Sequence, residues 1–582
     1  MTNRELAEVF EEMADILEIK GDNPFRIRSY RRVAEALGNL GFDAAHAATE
    51  DPERLRAVPG IGEGTVRKLA ELAATGQCEE HQQLRSELPA SLLTMLQIQG
   101  LGPKKIALVW SKLNIATIDE LEAAARAQRL RSLPGLGEKS ESNLLKAIEE
   151  HRRRQGRFQL DYGIEVSQAY IAHLRERNDV TRIAAAGSLR RRRETIGDLD
   201  ILATCPEPAR VVETFVHYPA VRDILAQGDT KASVVLQRGL QVDLRVLEDS
   251  CFGAAMQYFT GSKEHNVALR ERAKRMGLKV SEYGLFRSED NRRIAGESEE
   301  EIYRLLGLAF IPPELRENRG EIELAESGRL PQLIEQSDLR GDLHMHTVAS
   351  DGRDSLEDMA AAAQALGYEY IAITEHSKAL AMAQGLDEER LMRQGEAIDR
   401  LNSRLKGFRV LKGIEVDILA DGSLDLTDRA LASLDVVIAS VHSRFNLSEK
   451  EMTDRVCRAL QNPHVNILAH PTGRLLTKRD PYDLNIEEVI RTASANRVAL
   501  ELNAYPDRLD LKDVHCRMAC ELGALVAINT DSHETCMLSL IAYGVFTARR
   551  GWLSPHNVLN TFPLDRLQRV LAKQEYPSQD AL

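Results

Sequence analysis

The chain has 582 residues, which is too long for one hydrophobic core and predicts roughly three to five domains. Its formal net charge of −13 excludes a uniformly basic nucleic-acid-binding protein, so any contact with DNA must come from local patches. The seven cysteines are odd in number and form no C-x-x-C pair, which excludes a disulfide framework or zinc knuckle and predicts a reducing cytoplasm. No apolar run approaches the about eighteen residues of a membrane span, so no membrane partner is expected.

The N-terminal stretch places apolar residues at helical spacing and interleaves arginines with Phe25 and Tyr30. This basic face could contact a 5′-phosphate or a strand end. It could equally be the solvated face of an amphipathic helix, and the charge pattern favours neither reading.

Three turns of the form Gly-apolar-Gly follow, each flanked by helical patterns. Such turns can present backbone N–H groups at the start of a helix, where they bind a DNA phosphate without reading bases. The three copies resemble helix-hairpin-helix motifs and predict DNA-binding helical domains over residues 1–80 and 81–150. A connecting-loop role remains open for the third copy. The predicted DNA-contacting glycines are Gly60, Gly62, Gly100, Gly102, Gly135 and Gly137.

Carboxylates then appear on what the alternation predicts to be two strands. Asp198 and Asp200 alternate with apolar residues, so both emerge from one face, and Asp243 lies in a second alternating stretch. Three oxygen ligands on neighbouring strands suit Mg²⁺ or Mn²⁺, which takes further ligands from water and substrate phosphates. An exposed strand edge is the alternative for a single D-x-D pair.

A glycine-serine turn just upstream favours a metal site over an exposed strand edge. Gly187 and Ser188 can offer backbone N–H groups and a hydroxyl to phosphate, and Arg190 and Arg191 can supply positive charge. Together with the carboxylates, the turn predicts a nucleotidyl-transfer site.

The motifs GSLRR, GDLD, VDLRV and YFTGS, in this order, resemble the palm and thumb of a family X DNA polymerase. The resemblance implies metal binding by the three aspartates and template-strand contact by Arg270. Arg192 departs from the family, since the eukaryotic members carry glycine there. The nucleotide contacts implied by the resemblance are Gly187, Ser188, Arg191, Tyr258, Phe259, Gly261 and Asn266.

The resemblance also singles out Lys68, which lies where some family members carry a Schiff-base lysine that removes 5′-deoxyribose phosphate. That chemistry requires an amine with a lowered pKa beside other cations, and Arg67 is adjacent. An exposed helix lysine is the simpler alternative, and Gly64 replaces a basic residue of those members.

From Leu339 onward, apolar runs alternate with helical segments, and the runs end in potential metal ligands. About seven such repeats favour a parallel βα barrel with its site at the carboxyl ends of the strands. This region resembles the PHP (polymerase and histidinol phosphatase) domain, with Glu375 in place of a frequent aspartate. The resemblance implies two to three ions of Mn²⁺, Zn²⁺ or Fe²⁺. The implied ligands are His344, His346, Asp351, His376, Glu415, His442, His470, Asp531 and His533.

These observations predict a multidomain fold: α-helical N-terminal helix-hairpin-helix domains, an α+β nucleotidyltransferase palm and thumb, and a C-terminal α/β distorted (βα)7 PHP barrel. We expect the palm over 151–250, the thumb over 251–317, a linker over 318–336 and the barrel over 337–575. The implied function is a monomeric DNA repair polymerase that fills gapped or nicked DNA from dNTPs and trims 3′ ends at the PHP site. The alternatives are a PHP hydrolase that acts on DNA ends or abasic sites, with an N-terminal region that only binds DNA, and a non-catalytic scaffold.

Overall fold

A computed structural model describes residues 3–38, 40, 44–96, 98, 100–154, 156–177 and 179–576. The chain divides into two compact units, 1–155 and 156–582. No helix within the described ranges is long and apolar enough to cross a membrane. All seven cysteines lie within those ranges, and each is a free thiol.

The first unit is helical and packs around one apolar core, to which Phe10, Leu69 and Ile106 contribute. Its helices are α1 (Asn3–Lys20), α2 (Pro24–Gly38), α3 (Ala44–Glu50), α4 (Pro52–Arg56), α5 (Glu63–Thr75), α6 (Glu79–Ser86), α7 (Ala90–Met95), α8 (Pro103–Leu113), α9 (Ile118–Arg126) and α10 (Glu138–Arg154).

The three predicted glycine turns each lead into one of these helices, α5, α8 and α10. The first glycine of each turn has a positive φ, namely 98° at Gly60, 81° at Gly100 and 77° at Gly135. A residue with a side chain would be strained in this conformation. Gly62 and Gly102 are the N-caps of α5 and α8, so the backbone reverses and enters the helix within three residues.

The second unit begins with the palm, whose described strands form a two-stranded ribbon β1-β3 and a five-stranded sheet in the order β2-β4-β7-β6-β5. The alternation of Leu199 and Ile201 into the palm core fixes which face the aspartates occupy. The palm elements are β1 (Phe158–Gln159), α11 (Leu160–Arg177), β2 (Arg182–Ala185), α12 (Gly187–Arg190), β3 (Thr195–Ile196), β4 (Asp198–Thr204), α13 (Pro208–Val216), β5 (Val221–Gln227), β6 (Lys231–Leu236) and β7 (Gln241–Leu247).

The thumb packs helices against a small antiparallel sheet, and the segment after it is ordered. Within the predicted linker 318–336, α17 buries Ile322 and Ala325 in the thumb core, because its apolar face complements the thumb helices. The elements are α14 (Phe252–Thr260), α15 (Lys263–Arg275), β8 (Leu278–Ser281), β9 (Gly284–Arg287), β10 (Arg293–Ala295), α16 (Glu299–Leu305) and α17 (Glu321–Glu326).

The C-terminal domain has a sheet of seven described strands in sequence order, and every neighbouring pair is parallel. Past the ends of the first and last strands, Met345 forms a parallel bridge with Ser532, which closes the sheet into a barrel. The strands are β11 (Gly341–Asp342), β12 (Tyr370–Ile373), β13 (Arg409–Asp417), β14 (Val436–Ser440), β15 (Ile467–Leu468), β16 (Ala499–Asn503) and β17 (Val526–Asn529).

Helices surround this barrel, and one of them also packs against the palm. Tyr543 and Phe546 of α24 lie against the palm core, and Trp552 just beyond it lies against the thumb core. The helices are α18 (Leu356–Ala365), α19 (Glu388–Asn402), α20 (Asp428–Leu431), α21 (Glu449–Leu460), α22 (Ile486–Ala495), α23 (Asp513–Glu521), α24 (Ile541–Arg550) and α25 (Leu564–Leu571). The predicted fold class, with its seven parallel strands, is confirmed.

Candidate metal centres and nucleotide pocket

The three palm aspartates lie together on adjacent parallel strands. Asp200 of β4 is directly opposite Asp243 of β7, and Asp198 lies two residues earlier on the same face. Burial, reinforced by the neighbouring charges of Asp198 and Asp243, raises the pKa of Asp200 to about 7. A cluster whose carboxylates oppose one another's ionisation in this way fits a divalent cation, which would favour the ionised forms.

The glycine-serine turn lies against the same aspartate. Helix α12 begins at Gly187, where φ is +62°, and a Cβ at this position would collide with the carboxylate of Asp200. Glycine therefore meets two requirements here: it accepts the left-handed backbone, and it lets the turn approach the carboxylate of Asp200. Ser188 follows and is half-buried.

The arginines of this turn are engaged within the protein. Arg190 Nη1 lies 3.0 Å from Glu299 Oε1 and 2.8 Å from the Thr260 hydroxyl. Arg191 donates from Nε to Glu317 Oε1 at 3.1 Å and from Nη1 to the Thr260 carbonyl oxygen at 2.8 Å. The positive charge predicted to face phosphate is thus already compensated by two glutamates of the thumb, Glu299 and Glu317.

The thumb motif around Gly261 is closely packed. Asn266 donates to the carbonyl oxygens of Tyr258 at 2.6 Å and Gly261 at 3.2 Å, so its amide fixes the end of α14. A Cβ at Gly261 would lie 2.6 Å from Asn266 Oδ1. Phe259 contacts Tyr258 edge-on, with ring centroids 5.2 Å apart. Arg270, one turn further along α15, is exposed.

Lys68 of the first unit is not isolated. Its Nζ lies 3.0 Å from Glu80 Oε2 and 5.7 Å from the centre of the Tyr30 ring. Arg26 Nη2 also donates to Glu80, at 2.9 Å, and these groups border a cavity beside the turn at Gly60. Glu80 thus pairs with two of the cations, Lys68 and Arg26, that sequence analysis associates with a 5′-phosphate.

In the barrel, the structure brings all nine predicted ligands into one centre. Eight of them form three overlapping groups whose ligand atoms lie within 4.8 Å of one another, and the groups share His346 and His376. The ninth, His470, reaches Glu415 Oε1 through Nε2 at 3.1 Å. The three groups are His346, Asp351, His376 and His533; His344, His346 and Asp531; and His376, Glu415 and His442.

The donor atoms themselves fit metal ions. Within the part of the chain that the structure describes, His346 Nδ1, His376 Nδ1 and Glu415 Oε2 are buried without a hydrogen-bond partner. His376 Nδ1 lies 2.7 Å from Glu415 Oε2, but the pair lacks the alignment of a hydrogen bond. Buried polar atoms are rarely left unsatisfied, and mixed nitrogen and oxygen donors suit Mn²⁺, Fe²⁺ or Zn²⁺.

The charges of this centre are strongly coupled. Burial would raise the pKa of Glu415, but His442, His376 and His344 outweigh it and hold that pKa well below its usual range. Burial would lower the pKa of His376, but Glu415 and Asp351 raise it to about 10. The acidic ligands therefore stay ionised, and cations or protons must balance them.

Two further carboxylates support the ligands and were missed by sequence analysis as site residues. Glu501 of β16 accepts a hydrogen bond from His344 Nδ1 at 2.7 Å and from the backbone N–H of His470 at 2.8 Å. Glu375 accepts bonds from Thr347 and Ser350, in the loop that carries Asp351. Their signal in the sequence is an acidic residue in an apolar stretch: Glu501 lies inside β16, and Glu375 lies two residues past the end of β12. Burial alone would disfavour a carboxylate at either place.

Comparison with known protein families and relatives agrees with this architecture. The DNA polymerase beta thumb family matches residues 255–317, and the PHP domain family matches residues 342–505. A helix-hairpin-helix domain matches residues 1–78, and a SAM-like helix-hairpin-helix tandem matches residues 92–150.

Similar proteins fall into two groups. The "DNA polymerase/3′-5′ exonuclease PolX" of Bacillus subtilis is 39% identical over 577 residues, which cover 99% of this chain and 100% of that protein. A "probable phosphatase" of Syntrophotalea carbinolica is 27% identical over 38% of this chain and 90% of its own length. Another of Acetivibrio thermocellus is 35% identical over 28% of this chain and 65% of its own length. Since the PolX match runs from end to end, this chain belongs to the family X DNA polymerases that carry a C-terminal PHP domain.

Proposed function

We propose that this chain is a DNA repair enzyme that fills short gaps with its palm and trims 3′ ends with its PHP site. The observation that supports this most strongly is the presence of two separate clusters of candidate metal ligands in one chain that aligns over nearly its whole length with PolX. One cluster is an aspartate trio beside a glycine turn, and the other is a nine-ligand centre. Both chemistries act at a phosphorus atom of the same polynucleotide.

In the palm, Asp198, Asp200 and Asp243 would hold Mg²⁺ or Mn²⁺. Such ions activate the attacking primer hydroxyl and stabilise charge on the leaving pyrophosphate. The turn at Gly187 and Ser188 would hold the triphosphate with backbone N–H groups and a hydroxyl, and Arg191 would contact it if its bond to Glu317 opens.

The thumb would orient the incoming nucleotide. Tyr258, Phe259 and Gly261 would lie against its sugar, where the close packing of Gly261 against Asn266 leaves little room for a ribose 2′-hydroxyl. Asn266 would contact the base pair from the minor groove, and the exposed Arg270 would contact the template strand.

In the barrel, the nine ligands would hold two to three ions of Mn²⁺, Zn²⁺ or Fe²⁺. Ions held there supply Lewis acidity at a phosphodiester and activation of an attacking water. Glu501 would keep His344 oriented with Nε2 towards the centre, because its carboxylate occupies the other ring nitrogen. The 3′ end of DNA is the proposed substrate.

The helical unit would bind gapped or nicked DNA through backbone N–H groups at its three glycine turns. Lys68 is the candidate amine for removal of 5′-deoxyribose phosphate, which would require its ion pair with Glu80 to open. We further propose that the protein acts as a monomer in the cytoplasm.

A gapped-primer assay, with and without dNTPs, tests this proposal. The double variant Asp198→Ala, Asp200→Ala should lose nucleotide addition and keep 3′ exonuclease, whereas His344→Ala should do the reverse. Failure of the wild type to extend a gapped primer with Mg²⁺ or Mn²⁺ would refute the polymerase half. Release of nucleotides without extension would support a hydrolase, as the names of the phosphatase relatives suggest.

A further inference from the structure

Arg192, the departure from the family pattern, has a backbone conformation that favours glycine. Its φ is +57°, in the left-handed region that glycine adopts freely and other residues adopt at a cost. The guanidinium carbon of Arg192 lies 4.1 Å from the centre of the Phe546 ring, on helix α24 of the PHP barrel. A cation over an aromatic face is attractive, and more so when both groups are partly desolvated.

A second contact from the same helix fixes the neighbouring peptide. Arg550 Nη1 donates to the carbonyl oxygen of Arg191 at 2.7 Å and to Glu317 Oε1 at 3.0 Å. Glu317 in turn accepts the bond from Arg191 Nε. Asp513 holds the other end of the Arg550 guanidinium at 2.7 Å. The barrel thus contacts this segment twice: Arg550 binds the carbonyl group just before Arg192, and Phe546 stacks with the Arg192 side chain.

These contacts act on the end of a short, hydrogen-bonded turn whose other end touches a metal ligand. The backbone N–H of Arg192 donates to Leu189 O at 2.9 Å, and that of Arg193 donates to Ser188 O at 3.1 Å. Gly187, at the start of the turn, is packed against the carboxylate of Asp200. A change of backbone at Arg192 would therefore move Ser188 and the N–H groups beside it.

We propose that Phe546 and Arg550 of the PHP barrel are positioning residues for nucleotidyl transfer, because they hold Arg192 in the left-handed conformation that the triphosphate turn requires. This inference rests on the proposed role of Gly187 and Ser188 in nucleotide binding. The PHP barrel then contributes to the polymerase site, because its contacts let a residue other than glycine occupy this turn.

A matched pair of substitutions at Arg192 tests whether the cost of its left-handed backbone conformation affects nucleotide binding. Arg192→Ala keeps the cost of the left-handed conformation and removes the stacking, whereas Arg192→Gly removes both. We expect Arg192→Ala to raise the KM for dNTP in single-nucleotide gap filling about three- to tenfold above that of Arg192→Gly, with a smaller change in kcat. Equal KM values for the two variants would overturn the proposal, and this pair leaves the barrel itself unchanged.

A second pair tests Phe546. Phe546→Tyr keeps the ring face and should match the wild type, whereas Phe546→Leu keeps the apolar bulk and should raise the KM about three- to tenfold. In an Arg192→Gly background, Phe546→Leu should change the KM less than twofold, because glycine needs no support. An equal effect of Phe546→Leu in both backgrounds would mean that the ring only stabilises the interface, and would overturn the proposal.

The 3′ exonuclease rate serves as the internal control, since Phe546 lies outside the nine-ligand centre. It should stay within about twofold of the wild type in every variant. If the wild type fills no gaps, the proposed function is refuted. If the wild type fills gaps and the KM for dNTP is unchanged in Arg192→Ala and Phe546→Leu, only the present inference is refuted.

Discussion

The candidate metal sites of the palm and of the PHP barrel are built differently. Asp198 is exposed, and Asp200 and Asp243 are half-buried on the face of an open sheet. In the barrel, His344, His346 and Glu415 are at most 1% exposed. The two histidines lie just beyond β11, and Glu415 lies two residues before the end of β13. The palm site is therefore incomplete without substrate, whereas the barrel site is assembled by the protein alone.

This difference indicates what each site depends on. Mg²⁺ uses few carboxylates and takes further ligands from substrate phosphates, so the palm aspartates would hold an ion mainly when a nucleotide supplies those phosphates. The barrel surrounds its centre with imidazole and carboxylate donors whose orientation is fixed by other buried groups, such as Glu501. We expect exchangeable ions in the palm and resident ions in the barrel.

The largest expected effect comes from Glu415→Ala. Glu415 lies within 4.0 Å of five histidines, including His376 and His442, so its loss removes the central anion of the site. Elemental analysis after gel filtration should find two to three ions per wild-type chain and few in the variant, with 3′ exonuclease reduced at least about 100-fold. The double variant Asp198→Ala, Asp200→Ala is the control and should keep the full metal content. Equal losses in both would contradict the distinction between resident and exchangeable ions.

Glu501→Gln tests whether residues other than the nine candidate ligands hold those ligands in place. The amide retains the shape of the side chain but removes the charge that holds His344, so metal affinity or exonuclease rate should fall about 10–100-fold. Metal titration of the exonuclease measures this. The matched control is Glu487→Gln, an exposed residue whose partner is Arg491 on the same helix, and it should change neither quantity. Wild-type affinity in Glu501→Gln would mean that the nine ligands suffice by themselves.

Gly187→Ala tests whether nucleotide addition in the palm depends on the close approach of the glycine turn to Asp200. The added methyl group meets the Asp200 carboxylate and a φ of +62°, and the left-handed conformation alone costs about 1–2 kcal/mol. Gap filling should fall about tenfold, and exonuclease should not change. Gly395→Ala, whose Cβ would meet only the Lys412 side chain at 3.6 Å, is the control. Normal gap filling in Gly187→Ala would show that the turn tolerates displacement.

The parallel barrel and the two candidate ligand sets could be predicted from the sequence because both follow from local patterns. Alternation around Asp198 indicates one face of a strand, and a histidine or carboxylate at the end of most apolar runs indicates a strand end. The partners of the arginine run could not be predicted, since Glu299 and Glu317 lie more than 100 residues away and their pairing depends on tertiary packing. Arg192 and Phe546, which are in contact, lie still farther apart in the sequence.

The smallest effect should come from Glu375→Asp, which restores the residue frequent in PHP domains. Glu375 does not belong to the three ligand groups, and it accepts bonds from Thr347 and Ser350 in the loop that carries Asp351. Shortening it by one methylene keeps the charge but weakens these bonds, so the metal concentration for half-maximal exonuclease should rise about two- to fivefold. Glu369→Asp, whose partner Arg340 lies near the opposite ends of the strands, should have no effect. A loss above about 100-fold in Glu375→Asp would instead identify Glu375 as a ligand, and the barrel centre would then extend beyond the nine residues.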